Sequence, residues 1–269
     1  MSKCVSVFSA FPYKKQKELH NMTILTGSHV PHLRQSRKAR DLAARYTPLI
    51  YFDRKEPFLP LAVGYTIFTE DGESPSFPRY IELCGGGRAP AAFAIEYAIW
   101  WDWDIQHLYE LEHTWTYVGA NGKAVFAEAS WHGGFSAMVL NDGKVRVVAK
   151  DGGYHPVIYS EPGKHAFAPK PEILLEQRRA KTLEGCGPRA GTGGLWVTPL
   201  FKGILDLRKN PAVDTLVTAQ LKKHAFTPAF VWNRKFLVTK DLLIPWQTLY
   251  EWIPARMDWW IARLQKGEA

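Results

Sequence analysis

His113-Thr-Trp-Thr-Tyr-Val-Gly-Ala-Asn-Gly-Lys-Ala-Val-Phe-Ala-Glu-Ala129 decides the fold class. Two runs suited to a pleated surface, His113–Val118 and Lys123–Ala129, flank Gly119-Ala-Asn-Gly122, which predicts a β-hairpin. Downstream, Lys144–Ala149 and His155–Tyr159 read as further strands around Asp151-Gly152-Gly153. Upstream, Thr47-Pro-Leu-Ile-Tyr-Phe-Asp-Arg-Lys-Glu-Pro-Phe-Leu-Pro60 is a short apolar strand leaving through a proline-marked turn. Strands this close, joined by short turns, predict an antiparallel sandwich rather than parallel βαβ units.

The flanks differ in character. Residues 1–44 read as an arm without clear period followed by a helix, Ser36–Arg45, that ends before Pro48. Residues 45–170 form the predicted β-sandwich core, and 171–269 a helical and loop extension packed on it. In that extension Glu172–Leu183 is a helix, Gly185–Gly194 a glycine-rich loop, and Pro199–Leu207 and Val213–His224 are helical in part. The tail Leu242–Leu264 carries Trp246, Leu249, Trp252, Ile253, Met257, Trp260, Ile261 and Leu264 at helical intervals. Pro254 is expected to kink or divide it. Such a tail can make peripheral contact with a membrane, but its polar face is not strongly basic, which favours packing on the sandwich. The expected class is mainly β with α additions: an antiparallel β-sandwich core with C-terminal helices.

With 46% hydrophobic and 22% charged residues, the 269-residue chain can bury a full core. Its 11 Trp, 11 Tyr and 14 Phe suit a β-rich fold or a ring-lined site. A net charge of +8 favours anionic partners. The basic residues are scattered apart from Arg34-Gln-Ser-Arg-Lys-Ala-Arg40, and no nucleic-acid-binding signature is present, so no specific nucleic-acid partner is expected. Three distant cysteines, Cys4, Cys84 and Cys186, argue against a disulfide framework. No stretch reaches the ~20 apolar residues a spanning helix needs. The expectation is a soluble, cytoplasmic protein. Gly85-Gly-Gly87 lacks the Lys-Ser/Thr ending of a phosphate loop and carries no nucleotide role.

Chemistry concentrates in Trp100-Trp-Asp-Trp-Asp-Ile-Gln-His-Leu-Tyr-Glu-Leu-Glu-His113. Carboxylates and imidazoles amid apolar rings need a cation or protons to be tolerated. If a strand extends back to Glu110, Glu110 and Glu112 share one face. A loop over Asp104–Glu110 then lets Asp104 and His107 join them. Three carboxylates and one imidazole suit Mg, Mn, Ca or Fe(II) better than a thiolate-favouring metal. His113 points to the opposite face and reads as structural. Ser130-Trp-His132-Gly-Gly134 and the turn bearing Lys164 and His165 supply further candidates, with His132 and His165 as general acid/base.

His107-Leu-Tyr-Glu-Leu-Glu-His113 resembles the His-x-x-Asp-Trp-Glu-His element of the vacuolar protein sorting-associated protein 62 family. It also resembles the Gly-His-Arg-His-Asp-Trp-Glu motif of necrosis- and ethylene-inducing toxins. Arg45–Pro60 and His155–Ala166 fit the former group, so the likeness spans about residues 45–168. The toxin resemblance implies a β-sandwich whose cation ligands are Asp104 or Asp102, His107, Glu110 and Glu112. Here Glu110 stands for an Asp, Leu111 for a Trp and Tyr109 for a His.

The leading expectation is a metal-dependent hydrolase or lyase acting on a small-molecule, glycan- or phosphate-bearing anionic substrate. Asp104, His107, Glu110 and Glu112 would hold the metal; Arg88, Lys164, Trp103 and Tyr109 would bind substrate. One rival is a non-catalytic, cation-dependent glycan- or lipid-binding module. Another is a metal-free acid/base enzyme with an aromatic pocket.

Overall fold

The aromatic hairpin is longer than its turn residues alone suggest. In the computed structural model, which describes residues 27–31, 37–85 and 88–269, it is the centre of a large sheet. Most of the expected N-terminal arm, Arg34 to Ser36 of the basic cluster, and Gly86-Gly87 lie outside the described residues.

In chain order the elements are α1 (Arg37–Ala44), β1 (Leu49–Phe52), β2 (Ala62–Phe68), β3 (Gly72–Glu73), β4 (Tyr80–Ile81), β5 (Phe93–Trp103), β6 (His107–Val118) and β7 (Ala124–Trp131). Then come β8 (Gly134–Ala137), β9 (Val147–Lys150), β10 (Gly153–Ser160), β11 (Phe167–Ala168), α2 (Pro171–Cys186) and β12 (Gly194–Leu195). The chain closes with α3 (Pro211–Lys222), β13 (Arg234–Leu237), β14 (Leu243–Pro245) and α4 (Trp246–Lys266).

One sheet runs β14-β2-β5-β6-β7-β8 with β12 beside β6; a second runs β11-β10-β1-β13 with β9 beside β10, and β3 pairs with β4 apart from both. Period-two alternation on β5 builds two cores. Ile95, Tyr97, Ile99 and Trp101 meet Ile50 and Phe52 of β1 and Ile158 of β10 between the sheets. Ala98 and Trp100 on the other face meet Leu249, Trp252, Ile253 and Met257 of α4. The tail therefore packs on the outer face of the large sheet. Each large side chain buried here contributes roughly 1.5–3 kcal/mol.

Several features depart from expectation. The sandwich is mixed rather than purely antiparallel, because β1/β10, β12/β6 and β14/β2 are parallel pairs. The segment after residue 171 also does more than cover the core, since β12 and β14 join the large sheet and β13 pairs with β1. The stretch expected to be helical in part holds two short 3₁₀ turns, Pro199–Phe201 and Asp206–Arg208. Pro254 lies inside α4 without dividing it.

Helix α4 is also tied down by charge. The Arg256 guanidinium donates to both oxygens of Asp102, at 2.9 and 2.6 Å, and Trp100 Nε1 donates to the same carboxylate. Cys186 is free and buried, whereas Cys84 is disulfide-bonded, against the expectation drawn from the distant cysteines. Among the described residues no helix is long and apolar enough to cross a membrane.

Candidate metal centre

The turn between β5 and β6 is only Asp104-Ile-Gln106, so the expected loop shrinks and His107 and Glu110 already belong to a strand. Asp104 shapes this turn by accepting from the Gln106 amide at 2.5 Å, as a short carboxylate readily does. In a regular strand residues 107 and 110 would face opposite sides. Tyr109 breaks the alternation with a left-handed backbone, φ 59°. As a result Leu108 and Tyr109, though adjacent, both pack toward the helices. His107 and Glu110 consequently share a side, with Nε2 and Oε2 3.7 Å apart. A left-handed non-glycine residue is costly enough that its presence beside a cluster of ionisable groups points to function.

Asp104, His107 and Glu110 each offer one ligand atom within 4.8 Å of the others. The His107 Nδ1 lies 2.8 Å from the Tyr109 carbonyl, which fixes the proton on that nitrogen and leaves the Nε2 lone pair facing the carboxylates. Burial pushes the imidazole down to about 4, so it is neutral at pH 7 and ready to ligate. Burial would also raise Asp104, yet the neighbouring charges of His107 and Lys164 hold it at about 2. Of those two, only Lys164 keeps its charge at neutral pH. Lys164 Nζ stands 2.5 Å from Asp104 Oδ2 and 3.3 Å from His107 Nε2.

Burial, reinforced by Glu112 and Asp104, pushes Glu110 well up. Burial likewise lifts Glu112 to about 7. Glu112 shares the inward face with Glu110 but is outside the three-residue cluster, and its carboxylate accepts from Ser130 Oγ. Three carboxyls thus surround one ammonium. A second positive charge of a divalent ion, or protons, would complete that balance.

The other expected residues are distributed unevenly. Lys164 is in the cluster. Asp102 is not, being held by Arg256 on the helix side of β5. Trp103 packs edge-on against Trp260, and Tyr109 stacks on Trp100 at 4.9 Å, so both belong to the core under α4. Arg88 lies over the Tyr117 ring on the sheet's outer face, away from the cluster. His132 Nε2 meets the buried Glu161 Oε2 at 2.6 Å and is partly exposed. Arg178 and Thr182 of α2 also donate to Glu161. His165 is fully buried, stacked on Trp101 at 4.5 Å and 3.3 Å from Glu56, which closes it to substrate and makes it a pillar of the turn. His113 is likewise structural, stacked on Trp115 on the opposite face.

Sequence reading missed the mouth of the site. A cavity of about 310 Å³ opens over His107 and Lys164, lined further by Gln106, Arg189, Thr192 and Trp196. These arrive because β12 pairs with His107 and Leu108. Gly193 permits that approach, since a Cβ there would meet the Gln106 carbonyl at 3.0 Å. The half-exposed Trp196 stacks over His107 at 5.9 Å. The only signal in the sequence was a glycine run ending in a tryptophan.

No family model matches the chain, and no curated protein does. Among solved structures, a crystal structure of a mutant of NLPPya, a necrosis- and ethylene-inducing protein-like structure, aligns at 17% identity. The alignment covers 50% of this chain and 80% of that one, with a TM-score of 0.23. A superposition that loose carries no argument, and it lends nothing to the likeness with the vacuolar sorting family, which rests on the quoted motifs alone.

Proposed function

We propose that the chain is a divalent-cation-dependent enzyme of hydrolase or lyase type acting on an anionic substrate. The observation that carries this is the convergence of Asp104, His107 and Glu110 within 4.8 Å, with Glu112 and Lys164 alongside. An oxygen-rich set with one imidazole suits Mg, Mn, Ca or Fe(II). Such an ion supplies Lewis-acid polarisation of a substrate oxygen or an activated water. Lys164 and Arg189 at the mouth favour an anionic group, and Trp196 offers a flat apolar wall. His132, oriented by Glu161, is a partly exposed imidazole fit to carry a proton.

Elemental mass spectrometry on wild type beside Glu110→Gln tests the reading. Near-stoichiometric metal in wild type and its loss in the variant is expected; metal in neither would remove the cation. The second reading would then stand, supported by Glu112 at about 7 and the internal ammonium: a metal-free acid/base enzyme. Activity surviving exhaustive chelation would select it.

A further inference from the structure

The Lys164 ammonium occupies the ground a cation would need. It touches Asp104 Oδ2 at 2.5 Å and lies 3.3 Å from His107 Nε2, two of the three ligand atoms of the cluster. A metal ion bound to those same atoms at roughly 2.0–2.6 Å would sit against Nζ, a like charge in a dry site. We propose that Lys164 is a resident stand-in cation, which a divalent ion must displace, and that the displaced ammonium turns into the mouth to meet an anionic substrate. This rests on the cation-centre reading above.

The turn carrying Lys164 is clamped on both sides: the Gly163 amide donates to Glu56 Oε2 at 2.7 Å, and its carbonyl accepts from the Ile105 amide at 2.8 Å. A Cβ at Gly163 would lie 2.8 Å from Ile105 Cγ2, so the turn is seated tightly. His165, next along, is held between Trp101 and Glu56. The Lys164 side chain, by contrast, already borders the 310 Å³ cavity shared with Arg189 and Trp196. Displacement there would set two cations, Lys164 and Arg189, around one opening. Substrate binding would then follow cation binding rather than precede it.

Equilibrium dialysis against Mn²⁺ decides the matter, comparing wild type with Lys164→Met. Removing the competing charge-assisted contact should tighten Mn²⁺ binding by roughly ten- to a hundredfold. Equal or weaker binding in the variant, with wild type still binding, overturns the stand-in and leaves the cation centre intact. Binding by neither overturns both. Because Lys164→Met leaves Asp104 without its partner and can fail to fold, wild type is also tested directly. Acylation of Lys164 by an amine-reactive ester, read by peptide mass spectrometry, should rise several-fold when Mn²⁺ is bound. Equal protection with and without bound Mn²⁺ overturns the proposal.

Discussion

Two aspartates two residues apart have opposite duties. Asp104 faces His107 and Lys164, whereas Asp102 faces away and anchors α4 through Arg256. Asp102→Ala strands a buried guanidinium, so it should cost about 3 kcal/mol in urea unfolding while leaving metal stoichiometry unchanged. Loss of metal without loss of stability would reverse the assignment. His113 makes a second residue-scale prediction. Burial against Phe77 and Trp115 drives its imidazole from 6.5 down to about 3. Between those values the unfolded chain takes up a proton that the folded chain refuses, so His113 lowers stability as pH falls from about 6.5 toward 3. In His113→Phe the decline of stability from about pH 6 to pH 4 should be shallower than in wild type. An identical decline in both would show that the ring is not held neutral. At this scale much of the site was legible: Asp104, His107 and Glu110 stand in one short stretch, and period-two reasoning placed Glu110 with Glu112. The left-handed Tyr109 was not legible, because a bulky residue gives no local sign of positive φ.

Elements show where local pattern suffices and where it fails. The β6–β7 hairpin follows from its turn: Gly122 takes φ 74° and the Gly119 amide reaches the Lys123 carbonyl at 2.9 Å. Strand β12 is two residues long, and its Gly-Leu sequence carries no strand signal, yet it delivers Trp196 to the site. Its pairing is decided by what lies beside it in space. The contact of β2 with α4 is equally unmarked. There a Cβ on Gly64 would lie 3.0 Å from both Leu249 Cδ2 and Trp246 Cε3. Gly64→Val should therefore lift the helix and lower stability by about 1–3 kcal/mol, measured by chemical denaturation. A variant as stable as wild type would mean that α4 is not seated closely on the sheet.

For the whole molecule, strands from beyond residue 170 complete both sheets of the core expected over 45–170. A chain ended at Lys170 would lack β12, β13, β14 and α4, leaving edges of both sheets open and the Trp100–Tyr109 face bare. Such a chain should bind a hydrophobic dye and melt without a cooperative transition. A sharp transition from it would establish the first part as an independent domain. Sequence reading could not see this interweaving, because parallel partners are chosen across the chain rather than by neighbouring residues.

The same parallel pairings set a timetable. Leu49 aligns with Val157, and Val63 with Leu243, so β2 stays unpaired on one side until about 180 further residues (243 − 63) have left the ribosome. At roughly 5–20 residues per second, that wait is of the order of ten seconds. Throughout it, a nascent strand rich in apolar residues offers its free amides and carbonyls to any neighbouring chain. Contacts this distant in sequence also slow the final closure. Slower translation or a holding chaperone should accordingly raise the yield of native protein more than any change to its finished surface.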